Sequence, residues 1–291
     1  MTVMLAGKID LKKLRFPALV SPKLDGYRAI VHQDGLMSRK MIKIANLETQ
    51  KKFYKKKFLG LDGELAVGDP THSLCFNTTQ SCVSTVEGSP DVVFHVFDSF
   101  MIEKGFQHRL DKVRKIIEGQ KNIVLIEHKL IKSLDELNEY EEEQVLLGFE
   151  GVMVRSPDGP YKFGRSTTNE QYLLKLKRFE DSEAVILDCY EERHNSNDLA
   201  VSAYGVKKRS SKAEGMVGKD TLGGFVVKDL TTDVVFKVGT GPLLTAKNRK
   251  YLWAMRKTLP GKIIKYRFQK AGMKDKPRFV TVQGFRDFSD L

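Results

Sequence analysis

The sequence predicts an α+β fold in two parts, with mixed strands and helices over residues 1–181 and an almost purely β part over residues 182–291. Three observations predict it. In the first part, strand-like apolar runs (16–20, 27–31, 91–100) are interspersed with amphipathic helical stretches (106–118, 133–147). After residues 180–183 the helical pattern nearly vanishes, and five short strand-like runs follow. Finally, 291 residues that are 41% hydrophobic suffice for two packed cores.

The elements follow in order. Strands over 16–20 and 27–31 flank an Asp25-Gly26 turn, and Asp34-Gly35 leads into a third strand over 36–40. Residues 46–58 read as a Lys-rich surface helix with Asn46 as N-cap. The stretch 59–67 carries Asp62 and Glu64 between apolar neighbours. Residues 68–89 are rich in turn formers and read as loop with a short helix. The run 91–100 is the strongest strand signal of the first part. A strand over 122–128 separates the helices 106–118 and 133–147, the second opened by a capping box of Ser133 and Glu136. A buried strand follows Glu150-Gly151, a loop covers 159–168, and 173–178 forms a strand with Lys175 and Lys177 on one face. Such a face is either solvent-exposed or meets an anion.

In the second part, strands are expected over 184–190, 222–229, 234–239, 262–269 and 279–285, with a helix over 245–258. Five strands and one helix suggest a small Greek-key barrel of the OB type. Between the first two strands a polar stretch of about 192–220 reads as a mobile basic loop carrying Lys207, Lys208, Arg209 and Lys212.

Composition excludes several classes. No apolar run reaches membrane-spanning length, and the N-terminus lacks a signal-peptide pattern. Cys75, Cys82 and Cys189 form no Cys-x-x-Cys pair and the six His form no His-x-x-x-His pair, which argues against a zinc centre. The formal net charge is +12, and residues 247–291 hold thirteen Lys and Arg against three Asp. That asymmetry points to a polyanionic partner.

The stretch Lys23-Leu24-Asp25-Gly26-Tyr27-Arg28 stands out chemically. Lys becomes a nucleophile where burial or neighbouring cations remove its proton. Taken alone, the stretch also fits a hairpin turn whose charges face water. Its company favours chemistry: Glu64 and Glu150 border apolar strands, and Lys175 and Lys177 supply paired cations.

In order and spacing these residues resemble the covalent nucleotidyltransferase superfamily, in particular the small ATP-dependent DNA ligases of phages and viruses. The Lys23–Arg28 stretch looks like the nucleophile motif Lys-x-Asp-Gly-x-Arg. Ser38-Arg39, Leu61-Asp62-Gly63-Glu64-Leu65 and Val96-Phe97-Asp98 resemble the next three motifs, although the Gly often found after the second is absent. Glu150-Gly151-Val152-Met153-Val154-Arg155 and Leu174-Lys175-Leu176-Lys177 resemble the two after those. The last motif, Pro277-Arg278-Phe279-Val280 through Gly284-Phe285-Arg286, matches the form in minimal viral ligases and lacks the Arg-x-Asp-Lys of larger ones.

The resemblance implies a nucleotidyltransferase domain over 1–181 followed by an OB domain over 182–291. It implies an enzyme that seals nicks in duplex DNA through lysyl-AMP and DNA-adenylate intermediates, with ATP and Mg2+ or Mn2+. Lys23 is the implied nucleophile; Lys175, Lys177 and a metal on Glu150 neutralise phosphate charge, with Asp25 a second metal candidate or a simple turn carboxylate. Glu64 is placed on the ribose, and Phe97 either stacks on adenine or is a core aromatic. Arg28 and Arg39 are implied to hold the nick phosphate, Arg28 also lying against the nucleotide. Lys207, Lys208, Arg209 and Lys212 would contact DNA phosphates, and Arg278 or Arg286 would orient pyrophosphate. The implied partner is nicked DNA clamped by a monomer between two domains, in the cytoplasm of a bacterial or phage-infected cell. An mRNA-capping guanylyltransferase, an RNA ligase and a non-catalytic OB-type binding protein are the alternatives, separated by labelling with ATP and with GTP.

Overall fold

The computed structural model describes residues 2–72, 74–201, 207–210, 213–269 and 275–287, with backbone only for 199–201 and 207–208. The chain divides into two compact units, Met1–Arg178 and Phe179–Leu291.

In the first unit the elements run β1 (Met4–Leu5), β2 (Gly7–Lys8), β3 (Ala18–Pro22), β4 (Tyr27–His32), β5 (Gly35–Ser38), α1 (Leu47–Phe53), β6 (Leu61–Val67), α2 (Cys75–Ser84), β7 (Val92–Ser99), α3 (Phe106–Ile117), β8 (Ile123–Leu125), β9 (Lys129–Ile131), α4 (Leu134–Leu146), β10 (Val152–Arg155), β11 (Gly164–Arg165) and β12 (Leu174–Leu176). Two five-stranded sheets dominate, one ordered β2-β12-β10-β3-β9 and the other β5-β4-β6-β7-β8. Alternation divides each sheet into two faces. In the first, Ala18, Val20, Val152, Val154, Leu174 and Leu176 pack with Leu137 of α4. In the second, Ala29, Val31, Leu61, Leu65, Phe94 and Val96 pack with residues of α1, α2 and α3. Each fully buried side chain of this kind contributes about 1.5–3 kcal/mol. The remaining residues of the same strands, Ser21, Met153 and Lys175 on one sheet and Arg28, Glu64 and Phe97 on the other, line a common cleft.

The caps form as their residues dictate. Asn46 Oδ1 accepts from the Thr49 backbone N–H at 2.8 Å. Ser133 Oγ accepts from the Glu136 N–H at 3.2 Å, while the Glu136 carboxylate reaches the Lys132 N–H at 2.8 Å. Two expected elements are corrected. The helix expected over 46–58 stops at Phe53 and resumes as a 3-10 turn over Lys56–Phe58. Phe53 and Phe58 are both buried, yet five residues apart they cannot share one face of a continuous helix. The strand expected over 122–128 is shorter: β8 covers only Ile123–Leu125 and pairs parallel with β7, and β9 starts beyond the expected range, pairing antiparallel with β3 in the other sheet.

The second unit comprises β13 (Glu180–Asn195), β14 (Leu199–Val201), β15 (Lys207–Arg209), β16 (Met216–Asp229), β17 (Val235–Val238), α5 (Ala246–Ala254), β18 (Ile263–Gln269) and β19 (Arg278–Arg286). Its main sheet is ordered β17-β16-β13-β18-β19. Val282 N donates to Thr240 O at 2.8 Å and Thr240 Oγ1 to Val280 O at 2.9 Å, so the segment after β17 meets β19. Five strands in this order, with a helix between the third and fourth, make an OB-type barrel. Its core includes Ile186, Phe225, Val227, Leu252, Ile264 and Tyr266.

The basic loop expected over about 192–220 is also corrected. β13 runs on to Asn195 and β16 begins at Met216, paired as Arg193↔Gly218, His194↔Val217 and Asn195↔Met216. Beyond them β14 and β15 pair antiparallel as a small hairpin. Polar composition masked this ladder, because strands that extend past the barrel have no core to face. Lys207 and Lys208 lie on that hairpin, and Lys212 lies outside the described residues. Among the described residues no helix is long and apolar enough to cross a membrane.

Candidate active site

Lys23 sits just past β3, where the chain passes from one sheet to the other. The turn needs Gly26: a Cβ there would stand 2.5 Å from Leu65 O and 2.7 Å from Glu64 Cγ. Glu150 is fixed beside Lys23 by backbone. Lys23 N donates to Gly151 O at 2.9 Å, and Glu150 N donates to Lys23 O at 3.2 Å. Gly151 has φ +136°, and a Cβ would meet Leu176 O at 2.3 Å, so only glycine lets these segments close. Lys23 Nζ then donates to Glu150 Oε2, and Lys177 Nζ to Oε1 at 2.8 Å.

Glu150 is 3% exposed. Burial pushes its carboxyl up, but the ammonium groups of Lys23 and Lys177 outweigh burial and hold it below the ordinary range. Burial lowers Lys177, opposed by Glu150. Lys175 is also lowered, by burial and then by Lys23, Arg165 and Arg39.

Lys23, Arg28, Arg39, Glu64, Phe97 and Lys175 line one cavity of about 220 Å³. Lys175 belongs to β12; Lys177 lies one residue past that strand and meets Glu150. Asp25 is half-buried in the turn and acts electrostatically on Glu64 and Lys177. Glu64 stands opposite Arg28 in register. Burial lifts its carboxyl to about 7, against the pull of Arg28 and Lys23.

Arg28 is more committed than its sequence position implies. Nε and Nη2 grip Asp62 at 2.6 and 2.7 Å, and Tyr161 Oη donates to the same carboxylate at 2.6 Å. The guanidinium also lies over the Phe97 ring, 4.6 Å from its centroid. Alternation along β7 puts Phe97 on the face opposite Phe94 and Val96, towards the cavity. A bulge sits there as well: Asp62 pairs with Asp98 and Gly63 with Val96, which leaves Phe97 as the extra residue.

Several residues of the site carry no assignment in the sequence reading. Asp98 is fully buried and accepts from Arg109 Nε at 2.7 Å and Arg155 Nη1 at 2.5 Å. Since Arg155 ends β10 and Asp98 is on β7, this pair joins the two sheets. Burial raises the Asp98 carboxyl, and the two guanidinium groups more than reverse that. Arg155, Arg165 and His128 also line the cavity. The signal available for Asp98 and Arg155 is their place at the ends of Val96-Phe97-Asp98 and Val154-Arg155; His128 leaves none.

The residues expected elsewhere are dispersed. Arg39 is exposed at the cavity rim. Arg209 is exposed and donates from Nη1 to Asn197 O at 2.6 Å. Arg278 and Arg286 stand at opposite ends of the nine-residue β19. At about 3.3 Å per residue they are roughly 26 Å apart, too far for one pyrophosphate to meet both. Arg278 lies over Phe279 at 5.0 Å, and Arg286 Nε approaches Glu183 at 3.6 Å.

Among the described residues no three His, Cys, Asp or Glu converge on a metal position. The donors nevertheless fit a hard divalent cation of the magnesium type, which is commonly held by one or two carboxylates with waters and substrate phosphates. Glu150, already neutralised by two ammonium groups, is the carboxylate that would hold it.

A family model described as ATP dependent DNA ligase domain matches residues 3–177. The DNA ligase of African swine fever virus (strain Badajoz 1971 Vero-adapted) is 28% identical over 198 residues, covering 62% of this chain and 46% of the viral protein. That of Sulfurisphaera tokodaii is 24% identical over 258 residues, covering 79% of this chain and 40% of the relative. The chain thus spans about half the length, or less, of these relatives. Among solved structures, Chlorella virus DNA ligase-adenylate is 28% identical with a TM-score of 0.55, covering 98% of this chain and 99% of the other. A structure of the Lig E DNA ligases shares the fold, with a TM-score of 0.68 at 24% identity over 98% and 99% of the two chains. Lys23, Glu64 and Lys175 line one cavity, with Glu150 and Lys177 joined to each other beside Lys23, and the family model matches residues 3–177: the chain belongs to the ATP-dependent DNA ligase family.

Proposed function

We propose that this protein seals nicks in duplex DNA with ATP, and that the first-unit cavity is its nucleotide site. The observation that supports this most directly is the joining of Lys23 to Glu150 at the wall of a cavity that also carries Glu64, Phe97 and Lys175. In the first step Lys23 gives up its ammonium proton to water and Nζ attacks the α-phosphorus of ATP; an N–P bond forms, the bond from that phosphorus to the bridging oxygen breaks, pyrophosphate leaves, and a second N–H proton is lost to water. Lys175 and Lys177 offset charge on the phosphate oxygens as it shifts, which is the main demand of phosphoryl transfer. Phe97 stacks on the base, and Glu64 accepts from the ribose hydroxyls. A divalent cation on Glu150, when bound, adds further charge neutralisation.

In the second step AMP passes from Lys23 to the 5′-phosphate at the nick. Arg39, exposed at the rim, offers a planar fork for that phosphate. Arg28, already engaged with Asp62, works chiefly by holding the Phe97 side of the cavity. In the third step the 3′-hydroxyl attacks the adenylated phosphate and AMP leaves. We assign DNA backbone contacts to basic residues of the second unit, including those carried by the β14–β15 hairpin. A monomer acting in the cytoplasm is the working form of this reading.

The test is incubation with labelled ATP and, separately, GTP, followed by nick sealing with DNA or RNA on each side. Covalent labelling by ATP and sealing of an all-DNA nick are expected. Preferential labelling by GTP would instead indicate a capping-type enzyme, and labelling by neither a binding protein.

A further inference from the structure

His128 is a half-buried titratable group that the three steps above leave without a task. Its imidazole lines the cavity, edge-on to Phe106 with ring centroids 5.1 Å apart. Nδ1 is 2.8 Å from Ile126 O. A carbonyl oxygen can only accept, so Nδ1 carries the proton and Nε2 of the neutral ring presents a lone pair. Nε2 is buried and has no hydrogen-bond partner among the described residues. A buried polar atom left in this state is costly unless a ligand completes it. The ring also stays neutral: burial, followed by the nearby Arg155 charge, takes it down to about 4.

Position supports a role at the base. Lys175, Met153 and Ser21 stand opposite one another across β12, β10 and β3, and the pairing Val20↔Lys129 brings His128 up beside Ser21. The cavity has a cationic end at Lys175, Arg39 and Arg165; at the other end His128 and Ile126 lie beside Arg155, whose charge is paired with the buried Asp98. Phosphates belong at the first and a base edge at the second. We propose that His128 is the base-reading residue, whose Nε2 accepts from the exocyclic 6-amino group of adenine and meets the 6-oxo oxygen of guanine lone pair to lone pair. This inference rests on the reading of the cavity as a nucleotide site. It makes His128 a specificity residue that touches substrate, remote from the bonds that change.

The test compares covalent labelling of the full chain by ATP, by purine riboside triphosphate (which lacks the 6-amino group) and by GTP. The wild-type protein is expected to favour ATP over purine riboside triphosphate by about tenfold or more in kcat/KM, the scale of one buried hydrogen bond. In His128→Leu that ratio should fall towards one, and His128→Gln, whose amide oxygen can accept, should recover part of it. Equal use of the two triphosphates by the wild-type protein overturns the inference without recourse to any variant. An unchanged ratio in a labelled His128→Leu overturns it as well, while leaving the nucleotide site intact. Absence of label from every triphosphate would overturn the nucleotide reading and this inference together.

Discussion

Lys23 and Glu150 are joined at two levels, through Nζ to Oε2 at the side chains and through Glu150 N to Lys23 O at 3.2 Å along the backbone. The carboxylate is thus aligned on the nucleophile by two glycine-dependent turns. Lys177 occupies its other oxygen at 2.8 Å, so displacing Lys23 towards a phosphate leaves Glu150 paired. Lys23→Ala should abolish covalent, denaturant-resistant labelling by ATP and sealing of an unmodified nick. The same variant should still join a nick that already carries 5′-AMP. Label on the variant would direct attention to another lysine.

Glu150→Gln and Lys177→Ala should each reduce sealing by about 10²-fold or more, the usual loss when one preorganised charged group is removed. Circular dichroism should match the wild-type spectrum. The amide keeps the shape of Glu150 but cannot neutralise two ammonium groups. Near-normal sealing by both variants would return these residues to a structural role.

Glu64 gives the site a pH signature. Its folded value of about 7 lies above the ordinary 4.5. Folding therefore favours the protonated acid, and the stability it contributes is complete below 4.5 and lost as pH rises through 7. Ribose binding needs the acceptor form, so KM for ATP should fall as pH rises from 6 to 8. Glu64→Gln should flatten both profiles, as read by labelling kinetics and by thermal melts across that range.

Replacing the segment between Asn195 and Met216 with a short Gly-Ser linker should spare labelling by ATP, because the Lys23 cavity is built wholly from the first unit. Nick binding should weaken and its salt dependence should flatten, by about one released counterion for each lost phosphate contact. Unchanged affinity and slope would shift the DNA grip to the basic residues after Lys247.

The legible parts of the molecule are those governed by local rules. Asn46 and Ser133 cap helices as their side chains require, and alternation along β3, β7 and β10 separates core from cleft. Lys23, Glu64, Phe97 and Lys175 could be gathered because each lies in a recognisable motif. What stayed hidden depends on contacts between distant segments. The break after Phe53 follows from two aromatic residues that must enter one core, and the outward reach of β13 and β16 follows from their pairing with each other. The commitment of Arg28 to Asp62 and Tyr161 needs residues far apart in sequence to meet. His128 carries no motif at all, and only its place between two sheets gives it meaning.

The Asp98–Arg155 pair has a mechanical consequence. It ties β7 of one sheet to β10 of the other, with both partners almost wholly sealed from water. Prising the sheets apart there would strand an uncompensated charge in apolar surroundings, at a cost of about 3–5 kcal/mol. The cleft therefore behaves like a vice with a welded base. Any widening of the cleft is expected at the mouth, where Arg39 and Arg165 are exposed. The amides of β7 and β10 belong to one cooperative block, opening together and late, whatever happens at the rim.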